Sequence, residues 1–439
     1  MSFASTFDDP PPGRVAAPPA WLLALLALLL AFHALRAWQV TLTQPTDFRI
    51  FYEASIDLHH GADPYADSPR HLAYIYPPLL AWSLGPLTAL PLPAAAEVWV
   101  VLTFAAWIVL GAMTVKLSRS DHGGHAMWIA LVPSLLAYRF VLRLNLHGQV
   151  DLLLWAVVAG SLLALHHKRD RLSGGLLGLA LVIKPLPVLF LGALVLRRRF
   201  AACAVALVTG ALLLAAPALT VGPARLHELL GQWAAGRIGR DLTEVGFESH
   251  ASNQSLQAFI YRYAAARPDG VPREGIDGPT EPWPAPIAAL SPRAVNLCWL
   301  ALVLAIAAPL PFLIGARPVS GRRFGVEAAL LACTTHLVSR RTMEYHLVSL
   351  ILVDAVLLGL ALCPGVRPGW RRAAGATLAV GAFLQNFYAP PFVGRWASLA
   401  FQARGCATLS LVLAWGFLTC ALARWENVTR LGGTKLPGA

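Results

Sequence analysis

Residues 173–196 read SGGLLGLALVIKPLPVLFLGALVL, and the placement of this run decides the fold. It is long and apolar enough to cross a membrane once, yet Lys184-Pro185-Leu186-Pro187 interrupts it near the middle. Proline lacks an N–H and clashes with the preceding turn, so an undisturbed helix does not run through such a break. Two placements follow. The run is one kinked span, or it is two short helices that meet at the prolines and return the chain to the side it came from. Everything downstream changes sides between the two.

Basic residues favour the hairpin. Lys and Arg in short loops concentrate on the cytoplasmic side of a membrane. Here they cluster at Lys116 and Arg119, at Lys168, Arg169 and Arg171, at Arg197–Arg199, at Arg317, Arg322 and Arg323, and at Arg367, Arg371 and Arg372. All of these share one side only if 173–196 enters and leaves together. A broken helix at membrane depth is tolerated beside a cavity. A span needs about 20 apolar residues. The further candidates are 20–40, 95–116, 126–144, 149–167, 200–221, 294–315, 325–339, 346–364, 374–392 and 402–424. The expected protein is all-α: one polytopic membrane domain over 1–439, about twelve transmembrane helices, both termini inside.

Composition agrees. Of 439 residues, 57% are hydrophobic and 13% charged, with mean hydropathy +0.59. Soluble domains carry about 25% charged residues. The run Trp21–Ala34 lacks a small-residue cleavage site and reads as a retained first span. The six cysteines lie in apolar segments without CxxC spacing and read as small core residues, not as a metal site or disulfide framework. The net charge of +12 suits cytoplasmic anchoring, anionic lipid or a phosphate-bearing substrate.

Under this topology two polar segments lie outside, 41–94 and 222–292. In the first, Asp47 can N-cap a helix starting at Phe48. Arg49, Glu53, Asp57 and His60 then form a polar stripe, and the helix reads as amphipathic and interfacial. The stretch YPPLLAWSLGPLTALPLP is too interrupted for a span and reads as a second interfacial helix, with proline at its start. The second outer segment ends in a Pro/Gly-rich irregular run.

Several polar residues carry two readings each. Asp47 is a helix cap, a general base at the mouth of a cavity, or both. Arg340, Arg341 and His346, in SRRTMEYH, are interfacial anchors or a pocket for an anionic headgroup, since guanidinium pairs bidentately with phosphate. Arg139, Arg143, Arg340, Arg341 and Arg395 all fall outside, against the charge trend. Lys184, charged within an apolar run, faces a phosphate or a structural carbonyl or carboxylate partner. In LNLHGQVD, Gly148 suits a tight turn, with Gln149 and Asp151 on the outer rim. In SNQSL, Ser252 or Asn253 can cap the next helix, and Asn-X-Ser is a weak glycosylation match. Glu327, His336 and Asp354 form a proton relay or a buried structural cluster.

Taken in order, DFRIFYEASIDLHHGADPY, YPPLLAWSLGPLTALP with Trp99, GQVDLLL, GLLGLALVIKPLPVLFLGALVLRRR, NQSL and RRTMEYH resemble glycosyltransferase family 87, in the GT-C superfamily. The pieces span most of the chain. The resemblance implies a GT-C-like membrane fold and a polyprenyl-phosphate monosaccharide donor, commonly mannose or arabinofuranose. It places the active site outside, with the first-loop aspartate, here Asp47, as base. Arg340, Arg341, His346 and Lys184 are then expected at the donor phosphate. Tyr52, Tyr65, Tyr76, Gln149, Asn253 and Gln254 are candidate substrate contacts. If Asp47 is only a cap, the base is sought at Asp151, Glu344 or the carboxylates of 241–248.

Chemistry fits this expectation. Breaking a sugar–phosphate bond builds negative charge on the leaving phosphate, which preorganised cations stabilise. A carboxylate on the opposite face takes the acceptor proton. One base and no covalent nucleophile implies inversion at the anomeric carbon. No paired-carboxylate metal motif is present, so neither metal nor cofactor is expected. The partners are the lipid-linked donor, a glycan or glycolipid acceptor and the membrane, without nucleic acid. The Ala/Arg/Gly/Pro bias suggests a GC-rich bacterium and its inner membrane. The rival class is a secondary transporter or lipid flippase, which would place its polar contacts near the midplane.

Overall fold

In the computed structural model of the protein, residues 19–43, 47–66, 74–118, 124–237, 251–266, 284–315 and 321–429 are described. Among them the fold is helical, with isolated β-bridges but no strand. The first helices are α1 (Ala20–Thr43), α2 (Asp47–His59), the short α3 (Pro78–Ser83) and α4 (Gly85–Thr88), and α5 (Leu92–Leu117). Next come α6 (Gly124–Leu136), α7 (Tyr138–His147), α8 (Asp151–His166), α9 (Asp170–Ile183), α10 (Val188–Leu196), α11 (Phe200–Ala215), α12 (Ala218–Val221) and α13 (Pro223–Arg237). Then follow α14 (Leu256–Ala264), α15 (Pro292–Ala307), α16 (Leu310–Ile314) and α17 (Gly321–Val338). A 3₁₀ turn over Glu344–Ser349 leads into α18 (Leu350–Leu362). The chain ends with α19 (Pro368–Asn386), α20 (Pro390–Val393), α21 (Arg395–Ala403), α22 (Cys406–Ala423) and α23 (Trp425–Val428).

The interrupted run is a hairpin. Helix α9 ends at Lys184, whose backbone is extended, and α10 starts after Pro187. Asp170 at the head of α9 and Arg199, just past α10, pair at 3.4 Å, so the two ends lie together. Glycines seat α9 on α11. A Cβ at Gly174 would lie 2.2 Å from the Ala202 carbonyl oxygen, and one at Gly178 would lie 2.5 Å from that of Ala206. Small residues four apart on both helices let the backbones touch, the contact that packs helices where lipid gives no hydrophobic drive.

The expected basic clusters gather at one end. Arg197 pairs with Glu327, which also takes Arg323 Nε at 2.9 Å. Arg323 reaches the carbonyls of Leu313 and Leu422, and Arg371 that of Ala361. Arg119 and Arg317 lie outside the described residues. From this basic end α9 climbs 14 residues, about 21 Å at 1.5 Å per residue, to Lys184 at the opposite end.

Each of the ten apolar runs meets a helix, but the count of twelve spans is not reached by length and apolarity. Among the described residues five helices pass that test, or six if α6 and α7, bent by 57°, form one broken span. Several others, such as α8 with 16 residues, fall short of the roughly 20 needed to cross alone. The lipid-facing belt is plain: Phe200, Leu207, Leu212, Leu297 and Leu304 are all exposed.

Helix α2 differs from the expected surface helix. The polar stripe exists, with Arg49 and Glu53 paired at 2.7 Å. The apolar face, however, is covered by protein: Phe48 stacks on Trp99 at 5.3 Å and Phe51 meets Tyr76 edge-on at 5.0 Å. The second interfacial helix is two short ones, α3 and α4, with Pro78 at the helix start as expected.

Candidate active site

The site is built where α2 meets the turn between α7 and α8. Gly148 ends α7 in the left-handed conformation, φ +70°, which glycine adopts without cost to a side chain. A Cβ there would lie 2.5 Å from Phe48 Cβ and 2.9 Å from its backbone nitrogen. Trp99 Nε1 donates to the Gly148 carbonyl at 2.9 Å, and its ring carries Phe48. The start of α2 therefore sits directly on this turn. Gln149 Nε2 in consequence donates to Asp47 Oδ2, while the Tyr76 hydroxyl donates to Gln149 Oε1 at 2.7 Å.

Two residues further on, Asp151 opens α8 and is fully buried. Lys184, from the hairpin apex, donates to both its oxygens at 3.1 Å. The same ammonium lies 2.9 Å from His346 Nε2. His346 Nδ1 lies 3.2 Å from the Met343 nitrogen. The Lys184 ammonium and the His346 ring thus meet at one point of the site. Rings flank the cluster: Tyr345 meets His346 at 4.7 Å and His147 at 5.5 Å.

Burial raises the Asp47 carboxyl above its ordinary 3.8, and His147, the Gln149 bond and Lys184 work against that rise. The result is a carboxylate more basic than a solvated one. Burial, with Asp151, Tyr345 and Asp47 nearby, pushes the Tyr76 hydroxyl well above its ordinary value, so it stays a donor.

The sequence profile of glycosyltransferase family 87 matches residues 74–339. The chain belongs to glycosyltransferase family 87. A polyprenol-phosphate-mannose-dependent alpha-(1-2)-phosphatidylinositol pentamannoside mannosyltransferase of Mycobacterium tuberculosis is 31% identical over 273 residues, 57% of this chain and 58% of that protein. The GPI mannosyltransferase 1 of Aspergillus fumigatus is 31% identical over 194 residues, 42% of either chain. The chain thus spans about half the length of the curated relatives it matches. The family-87 match takes in Gln149, Asp151 and Lys184 but stops short of Asp47 and His346. Those two are joined to the site by geometry.

Other expected site residues bond the protein's own backbone. The Tyr52 hydroxyl donates to the Leu90 carbonyl at 2.7 Å, and that of Tyr65 to the Tyr76 carbonyl at 2.8 Å. Asn253 is buried. It holds residues 340–343 through the Arg340 carbonyl and the Thr342 N–H. Gln254 is equally buried and donates to the carbonyls of Ala251 and Gln402. The cap of α14 is Ser255, accepting from the Ala258 N–H at 3.1 Å, rather than Ser252 or Asn253. Arg340 Nε donates to Gln257 Oε1 at 3.3 Å. The charge of Arg341 does reach Tyr345 and His346.

The relay of Glu327, His336 and Asp354 is not wired. Glu327 is held by Arg197 and Arg323, His336 bonds Ser349 at 2.6 Å, and Asp354 Oδ2 is a buried atom without a partner. The carboxylates of 241–248 lie outside the described residues. Sequence reasoning missed His147, Tyr345 and the partner of Arg139. The signals were adjacency to Gly148 and an arginine standing against the charge trend.

Proposed function

We propose that this chain moves one monosaccharide, mannose, from a polyprenyl-phosphate donor to a hydroxyl of a glycan or glycolipid acceptor. The observation that carries this reading is the meeting of a raised, partly buried carboxylate with the Lys184 ammonium and the His346 ring at one end of a membrane fold. Asp47, oriented by Gln149 and Tyr76, takes the proton of the acceptor hydroxyl. The acceptor oxygen attacks the anomeric carbon while the bond to the phosphate oxygen breaks. The phosphate leaves with the electron pair, and Lys184 and His346 donate to it. A single displacement inverts the anomeric centre. Mannose is favoured by the names of both relatives.

The membrane supplies the geometry. A polyprenyl donor stays in the bilayer, so its phosphate is met at the interface. The cluster lies opposite the basic end, which supports an extracytoplasmic site under the charge rule. The test is turnover by purified protein with polyprenyl-phosphate-mannose, -arabinofuranose and -glucose in separate reactions. Release or transfer of mannose, dependent on Asp47 and Lys184, is the expected result. Absence of binding and turnover with every donor would sink the reading.

A further inference from the structure

Arg139 is buried on α7, on the side where the charge trend forbids it. Its Nη2 donates to Glu344 Oε1 at 2.5 Å and its Nη1 to the Gln385 carbonyl at 2.9 Å. The guanidinium lies 4.0 Å over the Tyr388 ring, and the Tyr388 hydroxyl adds a bond to Glu344 Oε1 at 3.3 Å. Arg143 Nε stands 3.8 Å from the other Glu344 oxygen. One carboxylate is thus gripped from α7 and from the end of α19.

Glu344 opens the 3₁₀ turn that presents Tyr345 and His346. Such turns have poorer hydrogen-bond geometry than an α-helix and are held by their surroundings. Lys184 comes to His346 from the hairpin apex, so a shift of the turn changes the spacing of the two groups. We propose that Arg139 is a positioning residue: by clamping Glu344 it fixes the turn on which His346 faces Lys184, and so sets the spacing of the two phosphate donors. This rests on the phosphate role of His346 assigned above. The planar fork is the reason for arginine. It spans Glu344 and the Gln385 carbonyl at once, which a lysine cannot do.

The test must separate positioning from stability, because removing one partner of a buried pair leaves an uncompensated charge. Arg139→Met with Glu344→Leu replaces both partners by apolar groups, a change that buried pairs tolerate well. It is expected to stay folded, with its melting temperature lowered less than that of Arg139→Met alone. Polyprenyl phosphate binding should weaken and kcat for polyprenyl-phosphate-mannose should fall about 10- to 100-fold. On a His346→Ala background the same double change should cost less than about twofold more, because it acts through His346. Arg139→Lys, which keeps the charge and the fold, should show the same direction of loss. Full activity of either variant beside a damaged His346→Ala overturns the positioning role alone. So does an equal loss on both backgrounds. A His346→Ala protein with wild-type binding and turnover instead overturns the phosphate role beneath it.

Discussion

In the proposed reaction Asp47 is the residue on which the chemistry turns. Asp47→Asn keeps the size of the side chain at the first residue of α2 but removes the proton acceptor. The variant should fold normally, bind polyprenyl phosphate and turn over about 10²–10⁴-fold more slowly. Near wild-type turnover would reduce Asp47 to a cap and send the search to the buried Asp151. The pH profile adds a second reading. Burial raises the Asp47 carboxyl above 3.8 in the fold, and the base works only when ionised. The acid limb of kcat should therefore lie above the ordinary carboxylate range and disappear in Asp47→Asn. For stability the sign is opposite: a raised group favours the fold below its unfolded value, and that gain is lost as pH rises through the folded value. Acid should thus silence the enzyme reversibly while protonation of this residue favours the fold. Turnover and a folding probe measured on the same samples across pH check that activity falls without loss of structure from this group.

Among the elements, the α7–α8 turn decides whether Asp47 has a partner. Two left-handed glycines give a controlled comparison. Gly148 has φ +70° with Phe48 Cβ 2.5 Å from its virtual Cβ, while Gly61 has φ +76° with open space around it. Both alanine variants bear the left-handed penalty, about 1–2 kcal/mol. Only Gly148→Ala must also push α2 away. It should lose markedly more thermal stability than Gly61→Ala, and its turnover should fall further as Gln149 leaves Asp47. Equal melting temperatures and equal rates would mean that the α2 contact is soft. The hairpin rests on the same kind of contact, Gly174 and Gly178 against the Ala202 and Ala206 carbonyls.

At the scale of the molecule, the fold separates two polar ends along the helix axes. Arg197, Arg323 and Glu327 close one end, and Asp47, Gln149, Lys184 and His346 occupy the other. The charge rule then makes a sidedness statement. In a variant with the six native cysteines replaced, Ala62→Cys and Arg198→Cys sit at exposed positions of the two ends. A membrane-impermeant maleimide should reach the first only from outside and the second only after the cytoplasmic face is opened. Labelling of both from one face would refute the arrangement.

The sequence alone carried the class and the hairpin. These follow from local quantities: apolar content, two prolines beside a lysine, the distribution of arginines and a turn glycine. It also carried the family, through short ordered motifs. Tertiary structure alone decided which polar groups meet. Lys184 was legible as a charge needing a partner, but its partners, Asp151 and His346, are 33 and 162 residues away. Asn253, Gln254, Tyr52 and Tyr65 looked like substrate contacts because they are polar and near motifs, and in the fold each donates to a backbone carbonyl. Arg139 was visible as an exception to a rule, while the reason, Glu344 at 205 residues' distance, was not. Local propensity and hydropathy are set by neighbours in sequence. Pairing in a helical bundle is set by which faces close packing brings together.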